Sequence, residues 1–284
     1  MKHAKDYMKT PRTIRSDSNL GNVLTKFMDE KKSRLMVNEN DRITGIVSEK
    51  DLGLFLLTDE SNRKMDEIPL AEIVKKIITV EGDTDVAKCA EIMLKDSIGS
   101  LGITTDGNVS GIITKTDLVR HYSKMHEGEK IVGEYMSPYY AWQYSDTSLH
   151  DIVRKMIDEK IARTIIRDRN ETPVGIITFR DLFNIALRLG KQEDVLDNSD
   201  PVISVIFPRK GFLSESGFGN TIKAEEVMSK NIVSVDYDED LAKTAKVLLE
   251  NNINGAGVLS GHGNIIGIIS KTDIVKALAF SEHK

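Results

Sequence analysis

The chain has 284 residues, of which 40% are hydrophobic and 29% charged, a balance that suits a folded protein and excludes disordered and fibrous classes. Its length favours two domains over one. Lysine and arginine number 39 against 44 aspartates and glutamates, a formal net charge of −5 with the cations dispersed, so a basic nucleic-acid-binding face is not expected.

Cys89 is the sole cysteine, which excludes an internal disulfide and any cysteine-rich metal or iron–sulfur site. No apolar stretch follows the first lysines and none reaches the length of a membrane span, so a cytoplasmic protein with no membrane partner is expected.

In chain order the same elements recur four times. The first copy has a short lead-in helix around Asp6-Tyr7-Met8, then strand-like Thr13-Ile14. Next come a helix with apolar stripe Leu20, Val23, Leu24, Phe27 and Met28, a strand, a turn at 38–41, and the octapeptide GIVSEKDL at 45–52. The second copy runs Glu72-Ile73-Val74, Thr79-Val80, stripe Val86, Cys89, Ala90, Met93 and Leu94, turn 106–108, and GIITKTDL at 111–118. In the third the order is Glu134-Tyr135-Met136, Trp142-Gln143, stripe Leu149, Ile152, Val153, Met156 and Ile157, turn 168–170, and GIITFRDL at 175–182. The fourth has Glu226-Val227-Met228, Ser234-Val235, stripe Leu241, Thr244, Ala245, Leu248 and Leu249, turn 261–264, and GIISKTDI at 267–274.

A stripe at i, i+3, i+4, i+7 and i+8 predicts an amphipathic helix, and it makes Cys89 a small core residue. Each lead-in is followed by a turn bearing proline or lysine, and a second helix follows each motif aspartate. First-strand residue and motif aspartate are 38, 38, 39 and 39 positions apart, a shared register that marks an internal repeat. Gly45, Gly111, Gly175 and Gly267 are spaced by 66, 64 and 92. The last interval therefore holds an insertion at about 191–221, rich in Pro and Gly and carrying an apolar string at 202–207. Such a stretch is either an ordered flap or a tolerated loop. One repeat of this size buries too little surface alone, so two per domain are expected.

These repeats resemble the CBS (cystathionine β-synthase-type) repeat over nearly the whole chain. The resemblance implies an α/β (α+β) fold of four β-α-β-β-α repeats arranged as two pseudo-twofold tandem pairs. Repeats at about 3–58 and 68–124 would form a domain 1–124; repeats at about 131–190 and 222–281 would form a domain 125–284. A four-repeat chain is similar to the regulatory γ subunit of AMP-activated protein kinase.

A Ser or Thr ending the last strand, with Asp three residues on in the first turn of a helix, faces unpaired helix N–H groups. An ionised carboxylate there can accept from both hydroxyls of a ribose. The same spacing is that of a helix capping box, which needs no ligand. On the resemblance the ribose positions are Ser48 and Asp51, Thr114 and Asp117, Thr178 and Asp181, Ser270 and Asp273. Base contacts fall on first-strand Thr13, Thr79 and Ser234, with Ile78 and Val233 as apolar walls. Trp142 departs from the small hydroxyl, stacking on a base or filling the pocket, and puts the third site last. Phosphates would meet Arg34 and Arg163, whose column holds Ser100 and Gly255 in the other repeats, and the variable motif cations Lys50, Lys115, Arg180 and Lys271.

His3, His121, His126, His150, His262 and His283 have no counterparts between repeats and read as surface residues, none at zinc-ligand spacing. No Walker loop, GxSxG elbow or HExxH motif occurs. The expectation is a non-catalytic regulatory protein with no cofactor and no metal, binding AMP, ADP or ATP as regulatory ligand in clefts within repeat pairs. It would signal to a protein partner of unspecified identity, with a homodimer also open. The alternatives are a protein–protein scaffold with vestigial clefts, a binder of another adenosyl ligand such as S-adenosylmethionine, or, more remotely, an enzyme acting on a nucleotide phosphate.

Overall fold

The structure, a computed structural model, describes residues 2–30, 32–59, 61, 63–182 and 218–281. The insertion expected at about 191–221 falls almost entirely outside them. Each repeat is a three-stranded sheet whose first two strands run parallel and whose last two run antiparallel. The strands are β1 (Thr13–Arg15), β2 (Arg34–Glu39) and β3 (Arg42–Ser48) in repeat one, and β5 (Thr79–Glu81), β6 (Ser100–Thr105) and β7 (Asn108–Thr114) in repeat two. Repeat three has β8 (Trp142–Tyr144), β9 (Arg163–Arg167) and β10 (Pro173–Thr178); repeat four has β11 (Ser234–Asp236), β12 (Gly255–Leu259) and β13 (Ile265–Ser270). A parallel pair needs a crossover connection, commonly a helix. It is supplied by α1 (Leu20–Glu30), α3 (Val86–Lys95), α5 (Leu149–Asp158) and α7 (Leu241–Glu250).

The stripes predicted for those helices are buried at their first four positions. The fifth is not: Met28 is exposed, and Leu94, Ile157 and Leu249 are half-buried. At 3.6 residues per turn position i+8 stands about 80° round from position i, so it leaves the core-facing stripe. Cys89 is fully buried; desolvation pushes its thiol up to about 12, which suits a core residue and not a nucleophile.

Second helices begin directly after each motif: α2 (Glu49–Thr58), α4 (Lys115–Met125), helical residues 179–182, and α8 (Lys271–Ser281). Lead-ins are single turns at Ala4–Asp6, Leu70–Glu72 and Val132–Glu134, and a short helix α6 (Ala224–Val227).

Each lead-in continues onto the sheet of the neighbouring repeat. Lys9 bridges Ile112, and the short strand β4 (Lys75–Lys76) pairs with β3 so that Lys75 faces Ile46. Ser137 bridges Ile268, and Ser229 bridges Ile176. Repeats one and two thus exchange lead-ins, as do three and four. At the crossing a Cβ on the motif glycine would meet the neighbouring lead-in. A Cβ on Gly267 would lie 2.7 Å from the Ser137 carbonyl, and one on Gly45 would lie 2.5 Å from Val74 Cγ1.

The chain forms two compact units that cut across the expected division into 1–124 and 125–284. One comprises Met1–Pro11, Ile77–Tyr140 and Ile232–Lys284; the other comprises Arg12–Lys76 and Ala141–Asn231. The first unit holds the bodies of repeats two and four, the second those of repeats one and three. Two causes act together: the lead-ins are exchanged, and α4 lies against α7 and α8 while α3 lies against α8. Their apolar faces meet around Leu118, Tyr122, Leu248 and Leu278 in one cluster.

Candidate functional site

All four motifs fold alike. The Ser or Thr ends its strand in extended backbone, and the aspartate three residues on turns back over it. In repeat two the Thr114 N–H and Oγ–H both donate to Asp117 Oδ2, at 3.0 and 2.6 Å. The corresponding distances are 2.9 and 2.5 Å for Ser48 with Asp51, 2.8 and 2.6 Å for Thr178 with Asp181, and 2.8 and 2.6 Å for Ser270 with Asp273. This is reciprocal capping geometry. It commits one carboxylate oxygen and the hydroxyl proton to the motif itself, so that hydroxyl can only accept from a ligand.

The other carboxylate oxygen differs between repeats. Asp117, buried, receives both Lys9 Nζ and Arg120 Nη1 at Oδ1, the latter at 3.0 Å. With the two Thr114 donors this uses about all four acceptor positions of a carboxylate. Asp51 Oδ1 receives Lys75 Nζ. Among the described residues Asp181 Oδ1 has no partner. Lys9, Lys75 and Arg120 were not identified from the motifs. Aligning the four lead-ins as carefully as the motifs would have exposed Lys9, Lys75, Ser137 and Ser229 as one column.

The arginine column keeps its register. Arg34 stands opposite Ser48 across the β2–β3 ladder, and Arg163 stands opposite Thr178 across β9–β10. The equivalent residues opposite Thr114 and Ser270 are Ser100 and Gly255. Both arginines therefore lie in the same compact unit. First-strand Thr13 and Trp142 face Met36 and Ile165, whereas Thr79 and Ser234 face Gly102 and Gly257. Ile78 and Val233 are half-buried against the core behind the last two.

Trp142 does not fill a pocket. It is 36% exposed, with the Arg167 guanidinium 4.9 Å above its ring and Tyr144 edge-on at 5.2 Å.

The variable motif cations do not form one equivalent set, because Lys115 and Lys271 are the first variable residue of their motifs and Lys50 and Arg180 the second. Within one unit Lys115 Nζ donates to Thr272 Oγ1 at 3.2 Å, and the buried Lys271 reaches Thr116 Oγ1 at 3.4 Å, a reciprocal pair between repeats two and four. Within the other, Lys50 Nζ lies 5.3 Å from the centre of the Phe179 ring. There Glu49 occupies the position of Lys115. Burial holds its carboxyl above the ordinary value, against the pull of Arg180 and Arg34.

Two histidines expected at the surface are buried instead. His121 sits inside α4 with Nδ1 2.7 Å from the Tyr7 hydroxyl, and desolvation lowers it to about 4. His150 in α5 is held against Asp151 at 3.1 Å. Helix spacing puts both on or beside the apolar stripe. Among the described residues no helix is long and apolar enough to cross a membrane.

The CBS domain family model matches residues 4–56, 70–124, 132–188 and 224–280. An uncharacterised protein of Methanocaldococcus jannaschii, MJ1225, is 24% identical over 269 residues, spanning 89% of this chain and 90% of its own. Its crystal structure, described as that of a suggested archaeal homologue of γ-AMPK, superposes with a TM-score of 0.77 at 20% identity, covering 98% of this chain and 100% of that one. A conserved protein of Pyrococcus horikoshii gives a TM-score of 0.64 at 18% identity with the same coverage. At these identities the likeness is one of fold.

Proposed function

The chain belongs to the CBS domain family, and from that premise we propose that it is a non-catalytic regulatory protein that binds an adenine nucleotide (AMP, ADP or ATP) through its Ser/Thr–Asp motifs. The observation that carries this reading is Asp181. A cap needs one carboxylate oxygen, and Thr178 uses one. The second oxygen, on a half-buried residue in the helical turn after β10, would accept from the paired hydroxyls of a ribose, each such charged bond contributing about 1.5 to 3 kcal/mol. Arg163 stands across the ladder from Thr178, within the same sheet, and supplies a planar donor fork suited to phosphate. Repeat three, ranked last on its tryptophan, is thus the best equipped for ribose and phosphate together.

Nucleotide binding regulates only in so far as it differs between two conformations of the protein, since coupling cannot exceed that difference in affinity. Titration calorimetry of the full chain with AMP, ATP and S-adenosylmethionine is the test. The expected result is heat with AMP or ATP, a rise in Tm, and loss of the tightest component in Asp181→Ala while the fold is retained. No heat and no thermal shift at about millimolar ligand would leave the motifs as helix caps. A response to S-adenosylmethionine alone would assign the sites to a ligand without phosphates.

A further inference from the structure

Trp142 breaks the small-hydroxyl pattern that Thr13, Thr79 and Ser234 keep at the start of the first strand, and it is the only tryptophan of the chain. Its register fixes where the ring can act. Trp142 pairs with Ile165, Ile165 with Ile176, and Arg163 with Thr178. Cross-strand partners share a face, as do residues two apart on one strand, so Trp142, Arg163 and Thr178 stand on one face of the repeat-three sheet. Ile166 and Ile177 stand on the other, in the core with the α5 stripe. Two strand spacings, about 10 Å, separate β8 from β10, a span that a nucleoside covers. The indole is held from two sides. The Arg167 guanidinium lies 4.9 Å from the ring centre and pairs with Glu171 at 3.1 Å, while Tyr144 meets the ring edge-on at 5.2 Å and donates its hydroxyl to the same Glu171 at 2.6 Å. Arg169, paired with Asp146, in turn lies 4.5 Å from the centre of the Tyr144 ring.

We infer that Trp142 is the base platform of repeat three: a purine ring stacks on the exposed indole while its ribose lies at Asp181, so this motif takes guanine as well as adenine nucleotides. This rests on the reading that Asp181 holds a ribose. The indole does no packing work that would account for it, since it is 36% exposed and, among the described residues, joins neither apolar cluster of its unit. A ring already fixed by Arg167 and Tyr144 loses little freedom when a ligand arrives, which favours binding. Selection of one base over another needs donors and acceptors aimed at the base edge. At this position the hydroxyl that could serve has been replaced by a π-face, and stacking tolerates any base because every base has a π-face of its own.

Because Trp142 is the sole tryptophan, its fluorescence reports this site alone. AMP and GMP titrated into the full chain should both quench it, with dissociation constants within about tenfold of each other. Trp142→Leu, which keeps apolar bulk without a π-face, should weaken the Asp181-dependent component of AMP binding by about tenfold or more. Trp142→Phe should hold it within a few-fold, which separates stacking from a merely structural effect. Should the leucine variant fail to fold, emission from the parent chain still gives the answer. If AMP produces Asp181-dependent heat while the emission stays unchanged, or if leucine serves as well as phenylalanine, the platform is refuted and the nucleotide reading stands. Quenching by AMP with no binding of GMP would overturn the breadth assigned to the site. If neither nucleotide gives heat, the nucleotide reading itself fails and takes the platform with it.

Discussion

Repeats two and four share one continuous apolar core, which runs from Val86, Met93 and Leu101 through Tyr122 to Leu241, Leu248 and Leu278. Among the described residues, repeats one and three keep separate cores, one around Leu20, Leu24 and Leu52, the other around Leu149, Ile152 and Met156, with Leu57 of repeat one reaching into the latter. The polar equipment follows the same division. The first unit carries Lys115 and Lys271 in reciprocal contact with threonines, and small residues Ser100 and Gly255 beside its motifs. The second carries Arg34 and Arg163 there, with Glu49 and Phe179 in place of the two lysines. The first unit thus has the more continuous core, and the second carries the arginines beside its motifs. The division runs between odd and even repeats and not between the two halves of the chain.

The largest effect that should expose this contrast comes from the cores. Leu248→Ala should cost about 2 to 5 kcal/mol and, because its cluster spans repeats two and four, lower hydrogen-exchange protection in both. Leu24→Ala should cost as much but loosen repeat one while leaving the buried strands of repeat three protected. Equal loss in repeats one and three would show their cores to be one.

An intermediate effect is expected from acid. The folded-state value of His121 is depressed to about 4 by burial, so the neutral ring is favoured in the native state. The stability it contributes is complete above the unfolded value of about 6.5 and is lost as pH falls towards 4, on the order of 3 kcal/mol in all. Acid unfolding of the unit holding repeats two and four should therefore begin below about pH 6.5. His121→Gln, read by Tm against pH, should flatten that limb.

The smallest effect has the opposite sign and belongs to the other unit. The carboxyl of Glu49 is raised by burial, so its contribution is present below the ordinary carboxylate range and is lost as pH rises through its native value. Glu49→Gln should raise Tm modestly at pH about 7 and leave it unchanged near pH 4. A fall at neutral pH would mean that Arg34 and Arg180 outweigh desolvation.

Repetition was legible because each repeat must solve the same local problem: bury a stripe, cap a helix, end a strand. Leu20, Val86, Leu149 and Leu241 could be aligned from spacing alone, and so could the column of Arg34, Ser100, Arg163 and Gly255; that Arg34 stands opposite Ser48 came from the sheet. The motif glycines were visible but their reason was not, since a Cβ there would meet the lead-in from the neighbouring repeat, its backbone at Gly267 and its side chains at Gly45, Gly111 and Gly175. His121 was misplaced because its helix has two apolar sides, one for its own sheet and one for α7 and α8, and a single stripe anticipates only the first.

The sequence by itself determined the four repeats, their strand and helix order, the capping aspartates and the core role of Cys89, all of which depend on residues within a few turns or strands of one another. Tertiary structure alone decided that even repeats pack with even ones, that Lys9 reaches Asp117 across 108 positions, and that two aspartates face lysine while two face serine. Local propensity sets the conformation of each segment. Which remote segment then covers a given carboxylate depends on how the chain is threaded, and that is fixed only when the apolar faces of different repeats find each other.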